Sequence, residues 1–204
     1  MKAAIIKDFL SCRLYLRTYA IFALVFMGLG FISANPFYAS GIFMILPVMC
    51  LVSTFALDET SKWERLALCS SLNRKDLVSS KYIFGSILIF IGILLNFISI
   101  LLVNKDFIDA LITSSTFGFI SIFYLCFMAP LMFKFGAEKS RIYMMLILVI
   151  PAGLILGISS LGFIDFNAIV THVGLLTAIV VVLFIVLLIG SYFLSIKIVS
   201  KKDY

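Results

Sequence analysis

Charged residues along this chain are spaced so that long stretches carry none. Residues 18–57 are free of charge, as are 82–104, 110–133, 142–164 and 166–196. A helix crossing a bilayer needs about 20 apolar residues. Each of the last four runs is long enough for one span, and the first is long enough for two. Ala34-Asn35-Pro36-Phe37 divides that first run, because Asn-Pro is a strong break signal. The pattern therefore predicts six helices, at 18–34, 37–57, 82–103, 110–133, 142–163 and 171–196. Membrane β-strands alternate apolar and polar positions, whereas runs such as Ile179 to Ile189 are apolar on every side. The expected fold is all-α: a single transmembrane domain over residues 1–204.

The basic residues orient these spans, since Lys and Arg concentrate on the cytoplasmic side. Six spans put both termini on one face. Of the 16 basic residues, 15 then share that face and only Lys105 lies opposite. The two sides carry +8 and −2, and a five- or seven-span arrangement would export whole basic loops. Both termini are expected to be cytoplasmic. The N-terminus is basic and then apolar, but it lacks a small-residue cleavage site and reads as mature chain.

Composition narrows the function. The 204 residues are 63% hydrophobic and 13% charged, with a mean hydropathy of +1.21. Soluble domains average about 45–50% apolar and about 25% charged. There is no room for a soluble catalytic domain. The net charge of +6 is diluted among apolar runs, so no nucleic-acid partner is expected. Cys12, Cys50, Cys69 and Cys126 form no C-x-x-C, which predicts reduced thiols and neither a disulfide framework nor a metal site. No phosphate-binding G-x-x-x-x-G-K occurs. No Asp, Glu, Lys or Arg falls within a predicted span, unlike the relay residues of ion-coupled transporters. His172, with Asp165 seven residues before it, reads as a histidine at the wet interface. Pro47 and Pro151 should bend their helices. Gly153 and Gly157 form G-x-x-x-G, which lets helices approach closely, either within the chain or against a second copy. Asn96, Ser99, Ser114 and Ser115 could line a polar path or bond across helices.

Two polar segments stand out. Residues 2–17 place Ile5, Phe9, Cys12 and Leu16 on one helical face and Lys7, Asp8 and Ser11 opposite, as in an interfacial amphipathic helix. Residues 58–81 hold nine of the 26 charges and the only tryptophan, Trp63. There Asp58 and Thr60 can cap a short helix. Asn73 can cap a second, with Asp76 in its first turn, running through Lys81 into span three. This elbow reads as a structured docking surface for a cytoplasmic partner, or as an interfacial loop with Trp63 at headgroup level.

Asp58-Glu59-x-x-x-Trp63-x-Arg65, followed by Arg74-Lys75-Asp76-Leu77-Val78-x-x-Lys81-Tyr82, resembles the conserved stretch of bacterial ABC transporter permeases of the type-2 exporter class. Met1-Lys2 to Lys7-Asp8-Phe9 resembles the family's start, and the likeness extends over the whole chain. One departure is Cys69-Ser70-Ser71 where the family often has Ser-Leu-Pro. The resemblance implies a permease half-transporter in the bacterial plasma membrane, itself binding no cofactor. A separate cytoplasmic ATP-binding subunit, holding ATP and Mg, would dock on a coupling helix in the elbow. Asp58, Glu59, Trp63, Arg65, Arg74, Lys75, Lys81 and Tyr82 are the implied coupling residues. Two permeases and two ATPases are expected per complex. The permeases that export phenol-soluble modulins or give immunity to lantibiotics are similar, which implies export of an amphipathic peptide or antimicrobial-type cargo. A secondary transporter or channel, and a non-transporting membrane sensor, are the other classes left open.

Overall fold

The computed structural model describes residues 2–33, 35, 37–69, 73–140, 142–143, 145 and 173–201. These residues are helical apart from short connections: α1 (Lys2–Ile32), α2 (Phe37–Thr60), α3 (Trp63–Cys69), α4 (Arg74–Asn104), α5 (Phe107–Phe135) and α6 (Val173–Lys201). Residues 137–140, 142–143 and 145 are also helical. In hydrocarbon every backbone group must be satisfied within its own segment, which leaves the helix as the form for such apolar runs. Among the described residues α2, α4 and α5 are long and apolar enough to cross a membrane. α1 bends by 63° between Ala3–Arg13 and Arg17–Ile32, and the bent pair makes a fourth candidate span. The predicted fifth span, with Pro151, Gly153 and Gly157, lies outside the described residues, as do Asp165 and His172.

The connections follow local chemistry. Asn35 Oδ1 accepts from the Phe37 amide at 3.1 Å, starting α2 where the Asn-Pro break was expected. The connection between α4 and α5 is only Lys105 and Asp106. Lys105 adopts the left-handed conformation that ends α4, and Asp106 accepts from the Ile108 amide to begin α5. This is tighter than the six-residue loop expected, because both helices extend beyond their apolar runs.

α4 lies against α2, α5, α1 and α6, and α2 also meets α1 and α5. Large apolar side chains such as Leu24, Ile32, Phe90 and Val186 project from the bundle, each more than 60% exposed. Exposure on that scale calls for lipid rather than water around the helices. The buried core gathers towards the elbow end, around Phe55, Leu77, Val78, Phe84, Met132 and Phe133. Two edge-to-face ring pairs lock it, Phe9–Phe84 and Phe55–Phe133, both at 5.0 Å. Towards the other end, Asn96, Ser99 and Ser114 are buried between helices. Ser99 and Ser114 donate to carbonyls of their own helices.

Candidate functional site

Three helix ends converge at the elbow. α2 runs through Asp58 and Glu59 to Thr60, and α4 starts at Arg74, eight residues before its apolar run. The first segment of α1 lies across both. Lys62, in the left-handed conformation at φ 51°, turns the chain from α2 into α3.

A ring of four charges holds these ends together. The Lys7 ammonium lies 2.8 Å from Asp8 Oδ1 and also donates to Asp58 Oδ1. The Lys81 ammonium lies 2.9 Å from Asp8 Oδ1 and 2.6 Å from Asp58 Oδ2. Each cation therefore touches both carboxylates, and the four charges cancel. The ring is dry: the side chains of Asp8, Lys81 and Asp58 are 1%, 4% and 9% exposed, and that of Lys7 is 22% exposed. Aromatic faces close it, with Trp63 4.8 Å from Lys7 Nζ and Phe55 4.9 Å from Lys81 Nζ, at the distance where a ring quadrupole attracts a cation. The adjoining cavity, lined by Ala4, Asp8, Trp63 and Ala67, is about 10 Å³. Clefts that bind small molecules run to about 300–1,000 Å³, so this cavity is too small for such a ligand. Among the described residues no group of three or more His, Cys, Asp or Glu is placed to hold a metal ion.

Further joints spread from the elbow. Glu59 Oε2 accepts from the Ala137 amide at 2.7 Å, capping the helical turn that follows α5. Gly136, at φ +81°, permits this, since a Cβ there would lie 2.5 Å from Glu59 Oε1. Arg74 Nη1 donates to the Val199 and Ser200 carbonyls at 3.1 and 2.5 Å, tying the start of α4 to the end of α6. The Tyr82 hydroxyl lies 2.6 Å from Ser191 Oγ and 2.9 Å from Ser195 Oγ on α6. Cys12 of α1 packs with Cys50 of α2 in the buried core. All four cysteines are free.

Of the residues expected to couple to a partner, Asp58, Lys81, Tyr82, Glu59 and Arg74 thus make contacts within the chain. Trp63 is half-buried over Lys7, and Lys75 is exposed. Arg65 sits in α3, with its side chain outside the described residues, as are residues 70–72 at the family departure. Among the described residues, the exposed surface of the elbow is Glu59, Thr60, Ser61, Lys62, Leu66, Cys69, Asn73 and Lys75. Leu66, 61% exposed, is its most prominent apolar side chain.

Three sequence expectations are corrected. Asp58 caps no helix, because α2 continues past it and its carboxylate is taken by Lys7 and Lys81. Thr60 instead donates to the Leu57 carbonyl of its own helix. Asn73 occupies the N-cap position of α4, but its side chain makes no cap bond. The buried face of the N-terminal helix is Ala4, Asp8 and Cys12, while Ile6, Phe9 and Leu10 are exposed. The docked face thus takes Asp8 from the predicted polar side and Cys12 from the apolar side, while Phe9 of the apolar side keeps its ring contact with Phe84. Lys7 and Asp8 were not among the expected site residues. The signal that could have found them is the small residues Ala4 and Cys12 on either side of Asp8 at helical spacing, a narrow face suited to close packing.

No curated protein or solved structure matches the chain. The family model described as ABC-2 family transporter protein matches residues 4–200, almost the whole length, including the N-terminal segment, the elbow and α6. The chain belongs to the ABC-2 family of transporter membrane proteins.

Proposed function

We propose that this chain is the permease half of an ATP-driven exporter that moves an amphipathic peptide or antimicrobial-type substrate out of a bacterial cell. Family membership supports the coarser part of this reading, an ABC transporter permease with an ATP-binding partner subunit. The observation that carries the coupling role is the four-charge ring. A force applied to α3 reaches α1 through Trp63 and Lys7, and reaches α2 and α4 through the shared carboxylates. Helices are stiff and the ring is buried, so a displaced elbow moves helix ends together and does not yield as a loop would. The exposed apolar Leu66 offers an ATPase a contact on the outside of that joint. Export is favoured over import because the outer connection between α4 and α5 is two residues long, too short to dock a delivery protein. The complex is proposed to contain two permeases and two ATPases, with both permease termini in the cytoplasm.

The test is to look for an ATPase reading frame beside this one, co-express its product with this chain, purify through a tag on the permease, and measure ATP hydrolysis. Recovery of both subunits with hydrolysis altered by the permease supports the reading. Failure of any ATPase to co-purify, or hydrolysis indifferent to the permease, overturns it in favour of a transporter or sensor that uses no ATP. Vesicle export assays with amphipathic helical peptides then decide the substrate class.

A further inference from the structure

A groove of about 480 Å³ runs between α5 and α6 at the elbow end of the bundle, away from the charge ring. Its floor is apolar, formed by Phe127, Leu131, Leu194 and Ile198, and its mouth carries Lys134, Lys197 and Lys201. All three lysines are exposed, and among the described residues none has a carboxylate within salt-bridge distance. Lysines near the C-terminal end of a helix commonly serve its unpaired carbonyls. At the end of α6 that role is taken by Arg74, which holds the carbonyls of Val199 and Ser200. At the end of α5 the Gly136 amide closes on the Met132 carbonyl. Lys134 Nζ rests 4.9 Å from the Phe135 ring, and the three cationic heads lie without a carboxylate above a greasy slot.

We propose that this groove binds one anionic phospholipid, its phosphate on Lys134, Lys197 and Lys201 and its upper acyl chains along Phe127, Leu131 and Leu194. Charge complementarity selects this occupant. A cationic amphipathic peptide would meet three like charges at the mouth, and a neutral lipid would leave them unpaired. Basic pockets between spans are a recognised form of lipid headgroup site, and the volume lies within the range of specific clefts. Such a lipid would wedge the ends of α5 and α6 beside the joint made by Arg74, linking membrane composition to the setting of the elbow.

The experiment is native mass spectrometry of the full chain released from nanodiscs containing equal phosphatidylglycerol and phosphatidylcholine. Preferential retention of one phosphatidylglycerol per chain is expected. It should fall at least about tenfold in the triple variant Lys134→Gln, Lys197→Gln, Lys201→Gln. It should fall comparably in Leu194→Trp, which fills the floor and keeps every charge. A control triple, Lys62→Gln, Lys75→Gln, Lys139→Gln, removes the same charge elsewhere and should retain the lipid. Equal retention of the two lipids overturns the proposal, as does undiminished binding in a folded triple variant or in Leu194→Trp. Loss of binding in the control triple shows a general charge effect and overturns it too. So does displacement of the lipid by millimolar inorganic phosphate, which would mean that the lysines take a free anion.

Discussion

Asp8 illustrates how a residue that looks solvated becomes the least exposed charge among the described residues. Its carboxylate receives both Lys7 and Lys81, and one oxygen, Oδ2, has no hydrogen-bond partner. A buried ion pair adds little net stability, but removing one partner strands the other at a cost of about 3–5 kcal/mol. Asp8→Asn is expected to destabilise the docking of residues 2–13 by that amount, seen as faster amide hydrogen exchange there and a lower thermal midpoint in detergent. Adding Lys81→Met restores charge balance, so the double variant should be less destabilised than the two single changes predict. Strict additivity would show that the four charges do not act as one unit. Gly136 is a second such point. At φ +81° and ψ 174° it occupies backbone space open essentially to glycine alone. Gly136→Ala should cost about 1–3 kcal/mol. Glu59→Ala in the same chain should recover only the steric part, and full recovery would count against backbone strain as a cause.

Prolines inside two helices of this bundle free a carbonyl that a neighbouring helix then meets. Proline at position i leaves the carbonyl of i−4 without its amide. In α5, Pro130 frees the Cys126 carbonyl, and Ser191 of α6 donates its hydroxyl to that oxygen. In α2, Pro47 frees the Phe43 carbonyl, and Gly92 of α4 packs there so closely that a Cβ would lie 2.9 Å from it. The α5 pair makes a thermodynamic cycle. Ser191→Ala should destabilise by about 1–3 kcal/mol, because a buried acceptor loses its donor. In a Pro130→Ala background the same change should cost much less, since residue 130 then supplies an amide. Thermal unfolding of the four detergent-solubilised proteins measures this, and equal costs in both backgrounds would remove Pro130 from the explanation. Ser191 also meets Tyr82, so one hydroxyl links α4, α5 and α6.

The assembled bundle has an asymmetric character: contacts that fix helix positions crowd its elbow end, and the surface of α3 is left outward. Under the proposed function, internal joints and external docking are borne by different residues. Leu66→Arg is therefore expected to reduce recovery of the ATP-binding subunit severalfold in a pull-down while the permease still inserts and keeps its thermal midpoint. Trp63→Ala should preserve recovery better but weaken the effect of the permease on ATP hydrolysis, because it loosens the contact from α3 to Lys7. If Leu66→Arg leaves recovery unchanged, the partner docks elsewhere.

Much of this was legible from residue order. The uncharged runs located α2, α5 and the end of α4 within three residues, and Asn35 marked the first turn, because the bilayer permits only helices and apolar length is a one-dimensional property. The motif at 58–82 pointed to the family that the match over residues 4–200 establishes. The roles of its residues were less accessible. Asp58 and Lys81 are 23 positions apart and both lie far from Asp8, so their pairing depends on how three helices cross. Neither charge pattern nor periodicity carries that information. The face of α1 was misjudged for the same reason: amphipathicity says which side differs, but the surface it meets says which side is buried. Residue order alone determined that the chain is a helical membrane protein with its charge gathered in an elbow. Only the tertiary structure decided that Asp58 and Lys81 of the elbow face inward and join Lys7 and Asp8 in a neutral ring, because pairing buried charges requires partners that converge in space and not in sequence.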